Sequence, residues 1–205
     1  MKRLVLAFLV VWLLLLGACA PTRVSEPAIP VHFNTYTDEL GLFSISYPPD
    51  WELALWAIED LEQFTKELLK SIDQDASLEK HGVIFAAGVP METGYYSPNV
   101  NMIVTPLTAG GLTLDEEAEA ATQYVKDIAK EYHEFSRVKT TVDGKEAVIV
   151  EYEADFLGLD RSHHLVMMMF AGRVGWTVTC TTTPDRFGEF EADLHAIVRS
   201  LRILK

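Results

Sequence analysis

Apolar residues are arranged along this chain in three ways, and each arrangement predicts a different element. Alternation with period two marks strands. Phe43, Ile45 and Tyr47 form one such run, stopped by Pro48-Pro49, and Leu53 and Leu55 continue a short one after Trp51. Gly82 to Gly88 and Asn99 to Leu107 are rich in Val, Ile and Phe and bounded by Gly and Pro. Arg137 to Val142 and Glu146 to Phe156 flank Asp143-Gly144, a pair that supplies the positive backbone angles of a two-residue hairpin turn. A second hairpin runs from His164 to Phe170 and from Trp176 to Thr181, with Gly172 to Gly175 as its turn.

Spacing of three and four residues marks helices. Leu61, Phe64, Leu68, Leu69 and Ile72 lie on one stripe of Ile58 to Ile72. Thr113 and Glu116 form a capping-box pair before a stripe of Ala118, Ala121, Val125, Ile128 and Tyr132. Thr183-Pro184 opens a third helix, whose stripe is Phe187, Phe190, Leu194, Ile197, Val198 and Leu201. Hairpins joined by sparse helices predict an α+β domain, a mostly antiparallel sheet of about six or seven strands flanked by helices.

The third arrangement is an unbroken apolar run, Leu4 to Leu16, preceded by Lys2 and Arg3. It is shorter than the ~20 residues a membrane span requires and fits an export signal, residues 1–18. The run ends in Leu16-Gly17-Ala18-Cys19, which resembles the lipobox of bacterial lipoprotein precursors. The resemblance implies cleavage before Cys19 and a diacylglycerol on its sulfur, often with a further acyl chain such as palmitate on the freed amine. The alternative is a plain secretory signal that leaves a free thiol. Ala20 follows, where an Asp would resemble an inner-membrane retention signal. The expected location is a cell membrane or outer membrane, facing outside the cytoplasm. Residues 19–32, with Pro21, Pro27 and Pro30, read as a tether, whose stretch from Ala20 to Val31 could span about 35 Å when extended.

Charge changes the picture in one respect. The 205 residues carry 30 acidic and 17 basic side chains, a formal charge of −13, and removing residues 1–18 takes two bases and no acid. Such a body has no evident means of neutralising phosphates, so no nucleic acid is expected as a partner. An anionic lipid surface repels it as well, which leaves an acyl anchor as its hold on a membrane. With only two cysteines, one of them Cys19, Cys180 reads as a small buried hydrophobe, the sharper alternative being a reactive thiol.

Three segments together resemble the PsbP/Mog1-like superfamily. They are Tyr36 to Pro48 with its closing Trp51, the Asp143-Gly144 hairpin, and the Phe187 to Ile203 helix. The resemblance covers residues 33–205 and implies an α/β/α sandwich. Relatives include an extrinsic photosystem II subunit, a nuclear-transport cofactor and bacterial lipoproteins, none a recognised enzyme class. It implies binding in general and no particular ligand.

Catalytic signatures are missing from the sequence: it has no Gly-x-Ser-x-Gly, His-Glu-x-x-His, Cys-x-x-Cys or phosphate-cradling loop, and Gly110-Gly111 is followed by acids rather than a base. No enzyme and no cofactor are expected. His163-His164, near Asp160 and Met167-Met168-Met169, brings a soft-metal site to mind. Strand alternation separates the three thioethers, so core packing for the methionines and a hairpin approach for the histidines are the preferred readings, and no metal site is assigned. The acids at Glu59 to Glu62 and Asp115 to Glu119 lack calcium-loop spacing and suit helix N-termini instead. Trp51, Trp56 and Trp176 read as core, whereas Tyr95-Tyr96, in a Gly/Pro loop, is the candidate partner contact. The function expected is that of a lipid-anchored binding or assembly module for an envelope protein, the alternative being a small-ligand or metal-binding lipoprotein.

Overall fold

The computed structural model describes residues 30–54, 82–90, 98–107, 111–156 and 161–205. Cys19, the tether before Pro30, the helix expected over Ile58 to Ile72, Trp56, Tyr95, Tyr96, Gly110 and Asp160 lie outside the described residues.

Two antiparallel sheets form the frame. The larger has seven strands, β3 (Glu52–Leu53), β4 (Gly82–Gly88), β5 (Asn99–Pro106), β9 (Val174–Thr182), β8 (Ser162–Ala171), β7 (Lys145–Phe156) and β6 (Ala129–Val142), in that spatial order. The smaller places β2 (Phe43–Tyr47) between β1 (Asn34–Thr37) and β10 (Arg202–Ile203). Helix α1 (Leu114–Ile128) packs on one side of the large sheet; helix α2 (Phe187–Ser200) packs on the other, also touching β2.

The local reasons are visible residue by residue. Asp143 (φ 51°) and Gly144 (φ 70°) make the turn between β6 and β7, the backbone shape that Asp-Gly favours. The Asp143 carboxylate also accepts from the Ile203 N–H at 3.0 Å and from Lys145 at 2.9 Å, which fixes β10 to the hairpin. At the turn between β1 and β2, the buried Asp38 accepts from the backbone N–H groups of Leu40, Leu42 and Phe43. Thr113 caps α1, and Glu116 reaches back to the Thr113 N–H at 2.7 Å, completing the capping box.

Because β8 is covered on both sides, its alternate residues enter two different cores. Leu165, Met167 and Met169 join Phe43, Trp176, Ile197 and Leu201 on the α2 side. Val166 and Met168 join Ala118, Val148, Val150 and Tyr152 on the α1 side.

Some boundaries differ from the sequence reading. Helix α1 ends at Ile128, and Tyr132 belongs to β6, which begins at Ala129. The helix buries Ala118 and Thr122, whereas Ala121 and Ile128 face solvent. The closing helix starts at Phe187, after a turn in which the Arg186 N–H donates to the Thr183 carbonyl. It stops at Ser200, because Arg202 and Ile203 pair with Ser44 and Phe43 of β2 instead of continuing it. The β8–β9 turn is only Gly172-Arg173, tightened by Gly172 at φ 61°. No helix among the described residues is long and apolar enough to cross a membrane.

Candidate functional site

Polar chemistry collects where β8 begins, beside β6, β7 and the start of α2. Ser162, His163 and His164 are consecutive and buried, and the strand sends His163 to the α2 side and its two neighbours to the α1 side.

On the α2 side, His163 is 5% exposed and each ring nitrogen meets a carboxylate. Nδ1 lies 3.3 Å from Glu153 Oε1, and Nε2 lies 3.2 Å from Glu151 Oε1. Carboxylates only accept, so both contacts are hydrogen bonds only while both nitrogens carry protons. The imidazole stacks on Phe187 of α2 at 3.6 Å between centroids and on Phe135 of β6 at 5.2 Å. Arg161 pairs with Glu153 at 2.8 Å. Thr182, opposite His163 on β9, buries a hydroxyl with no partner, as does His195 of α2 with its Nδ1. Burial, with Arg199 adding to it, holds His195 below the usual imidazole range.

On the α1 side, Ser162 Oγ lies 2.7 Å from His164 Nε2, and Thr181 Oγ1 lies 3.2 Å from Nδ1. The ring stacks on Tyr152 at 4.8 Å, and Tyr152 in turn lies against Tyr132. Burial, helped by the neighbouring His163, pushes the His164 imidazole down to about 4, and burial pushes the Tyr152 phenol up to about 12. The Ser162–His164 distance is that of a nucleophile and its base. The other requirements fail: Ser162 is 0% exposed, and a hydroxyl, not a carboxylate, occupies the orienting position. The arrangement works as a satisfied buried polar network that fixes the packing of β8 against β7 and β9.

The remaining sequence candidates are now placed. His163 and His164 point to opposite sides of the sheet, and the three methionines divide between the two cores, so neither set converges. Among the described residues no group of three His, Cys, Asp or Glu side chains is arranged to hold a metal ion. Cys180 is fully buried, and burial pushes its thiol well above the usual range, which removes the reactive alternative. Trp51 and Trp176 are core residues. Three of the acids at the start of α1 are paired: Asp115 with Lys139, Glu116 with Thr113, Glu119 with Arg137 at 2.8 Å. Where α1 meets the β6–β7 hairpin there is an open cavity of about 330 Å³, lined by Thr113, Asp115, Lys139, Thr141 and Glu146 among others.

Sequence reasoning missed the setting of His163. A signal existed, since Glu151 and Glu153 alternate directly after the apolar run Ala147 to Val150 and so share one face. Their partner is a neighbour across the sheet, which a one-dimensional pattern does not specify.

No family model matches the chain, and no curated protein matches it in sequence. Among solved structures it is similar to cyanobacterial PsbP (CyanoP) from Synechocystis sp. PCC 6803, with a TM-score of 0.56 at 15% identity, over 92% of this chain and 98% of that one. It is also similar to LpqN of Mycobacterium tuberculosis, described as involved in cell envelope biogenesis, with a TM-score of 0.55 at 11% identity, over 85% and 92% of the two chains. A protein from Bacteroides thetaiotaomicron gives 0.50 at 11% identity, over 85% of this chain and 49% of that one. Identities this low carry the fold alone. The chain has a PsbP-like fold, an antiparallel sheet held between helical layers.

Proposed function

We propose that the chain is a lipid-anchored, extracytoplasmic, non-catalytic binding or assembly module for an envelope protein partner. The observation that carries this reading is the Leu16-Gly17-Ala18-Cys19 motif behind a thirteen-residue apolar run, joined to a PsbP-like sandwich. Acylation of Cys19 with two or more chains gives a stable hold on a bilayer, each buried methylene contributing about 0.8 kcal/mol. The formal charge, −13 for the whole chain and −15 once the two bases of residues 1–18 are gone, then keeps the domain itself off an anionic lipid surface. Burial of Ser162 and Cys180, the groups that most resemble nucleophiles, supports a role without covalent chemistry. The likeness to LpqN supports an envelope setting. The Tyr95-Tyr96 loop is the proposed contact for the partner.

The test has two arms. Cys19→Ala should abolish incorporation of radiolabelled palmitate and release or mis-sort the protein; label retained by the variant overturns the anchor. Crosslinking in intact cells, followed by pull-down of the anchored form, should yield one protein partner, and Tyr95→Ala with Tyr96→Ala should weaken its capture. A second reading, a small-ligand binder, is favoured by the cavity beside α1. It would show as a ligand-dependent rise in melting temperature without a protein partner.

A further inference from the structure

Strand β6 closes the seven-stranded sheet with fourteen residues, and among the described residues no strand pairs with its outer edge. An open edge of this length is a template for another strand, and proteins ordinarily cover or blunt it. Two exposed apolar side chains lie on it, Phe135 at 48% and Val138 at 50%.

The strand is its own complement when reversed. Tyr132, Glu134, Arg137 and Lys139 lie on the α1 side: Tyr132 packs in the α1-side core and bonds Glu134, Arg137 donates twice to Glu134 of its own strand at 2.9 Å and reaches Glu119 and Thr122 of α1, and Lys139 reaches Asp115, so a partner's charges would join ion pairs already present. Phe135 stacks on His163 on the α2 side, with His133 edge-on against it, and Ser136 approaches Glu151 there. A register shift between Glu134 and Ser136 sets Phe135 and Ser136 on the same side. Counted outward from the Phe135–Ser136 peptide bond, the order of faces is therefore the same in both directions. Next to that bond, Glu134 and Glu131 lie on one side and Arg137 and Lys139 on the other, with Lys130 at the far start of the strand paired to Asp155.

We propose that β6 is a self-association edge, on which a second copy of this chain pairs antiparallel about a two-fold axis at the Phe135–Ser136 bond. In that register Glu134 of each copy faces Arg137 of the other, and Tyr132 faces Lys139, all on the α1 side. On the α2 side His133 faces Val138, and the two Phe135 rings meet beside the axis. The charge complementarity selects a second copy over an unrelated strand, and every opposed pair shares a face. The register shift falls on the axis, so it interrupts both strands at one place and leaves regular pairing on either side. Repulsion between two acidic bodies is screened beyond about 8 Å at physiological salt, whereas the facing charges lie inside that distance. The pairing is isologous and closes as a dimer. It stands independently of the lipid anchor and of the proposed envelope partner.

The test uses the purified full-length chain at physiological salt. The register puts Ser136 about 6 Å from its twin between α-carbons, within disulfide reach, and Thr141 about 37 Å from its own. Under copper–phenanthroline, in a Cys19→Ala background that leaves only the buried Cys180, Ser136→Cys should give a covalent dimer, while Thr141→Cys and the Cys19→Ala chain alone should not. Adding Arg137→Glu to Ser136→Cys should lower the crosslinked fraction about ten-fold, because like charges then face each other, and Glu134→Arg with Arg137→Glu should restore it to within about two-fold. Arg137 also bonds Glu134 and α1 within its own chain, so Val138→Asp, at a half-exposed site that touches neither pair, serves as the deciding second variant, with circular dichroism confirming its fold. A Ser136→Cys crosslink no stronger than that of Thr141→Cys, or one that Arg137→Glu and Val138→Asp leave unchanged, overturns the proposal.

Discussion

His163 and His164 are adjacent in the chain and chemically opposite in the fold. His163 stands among charges on the α2 side, bracketed by Glu151 and Glu153 and pressed between two phenylalanine rings. His164 stands among hydroxyls and tyrosine on the α1 side, held neutral by burial. The same division separates Met167 from Met168 and one core from the other. The half-turn of a strand between neighbours, rather than proximity in sequence, decides what a side chain can do here.

The largest effect should come from emptying the α2-side core. Trp176→Ala removes a fully buried ring packed against Phe43 and should cost about 3–5 kcal/mol in urea unfolding. Met168→Ala, in the smaller α1-side core, should fall toward the low end of the ~2–5 kcal/mol range for such truncations. Equal losses would mean that the two cores contribute alike.

The next is a pH effect that belongs to one histidine. The folded state holds His164 near 4, below the ordinary 6.5, so the neutral ring is the form that folding favours. Its contribution is fully present above pH 6.5 and is lost as pH falls through about 4, because the unfolded chain binds the proton first. Wild type should lose about 3 kcal/mol over that window on this account, and His164→Phe should flatten the slope. An unchanged slope in the variant would assign the effect to other groups.

Disturbing the charged side should be milder. Glu153→Gln weakens bonds to both His163 and Arg161 and should cost about 2 kcal/mol at neutral pH. The exposed Glu146 on the same strand should tolerate the same change within about 0.5 kcal/mol. The smallest effect is expected at the solvent-facing start of α1, where Thr113→Ala removes the capping box at a cost of about 1 kcal/mol.

Much of this frame was legible in the sequence, for reasons that are local. Asp143-Gly144 encodes its own turn, the alternation of Gly82 to Gly88 and of Asn99 onward gives β4 and β5, and Thr113 with Glu116 places the start of α1. The end of α1 was not legible. No glycine or proline follows Ile128, and Tyr132 falls one turn later at helical spacing, yet Ala129 turns extended and β6 begins. The split into two sheets was hidden as well, since Arg202–Ile203 is too short for a pattern and becomes a strand only against Ser44 and Phe43. For the site, alternation correctly separated the methionines, whereas His163 and His164, read as the approach to the hairpin, lie buried inside β8 on opposite faces. The carboxylates and rings around His163 are assembled from β6, β7 and α2, and only the sheet order brings them together.

Cys180 has one further consequence. In the folded domain its sulfur is sealed against the Leu194 carbonyl and out of reach of any oxidant. Nascent or thermally opened molecules present it freely, so wherever the polypeptide crosses into an oxidising space, the time before collapse is the time during which strangers can be covalently joined. Speed of maturation, and not only its end point, therefore bears on how much of this protein reaches the folded state.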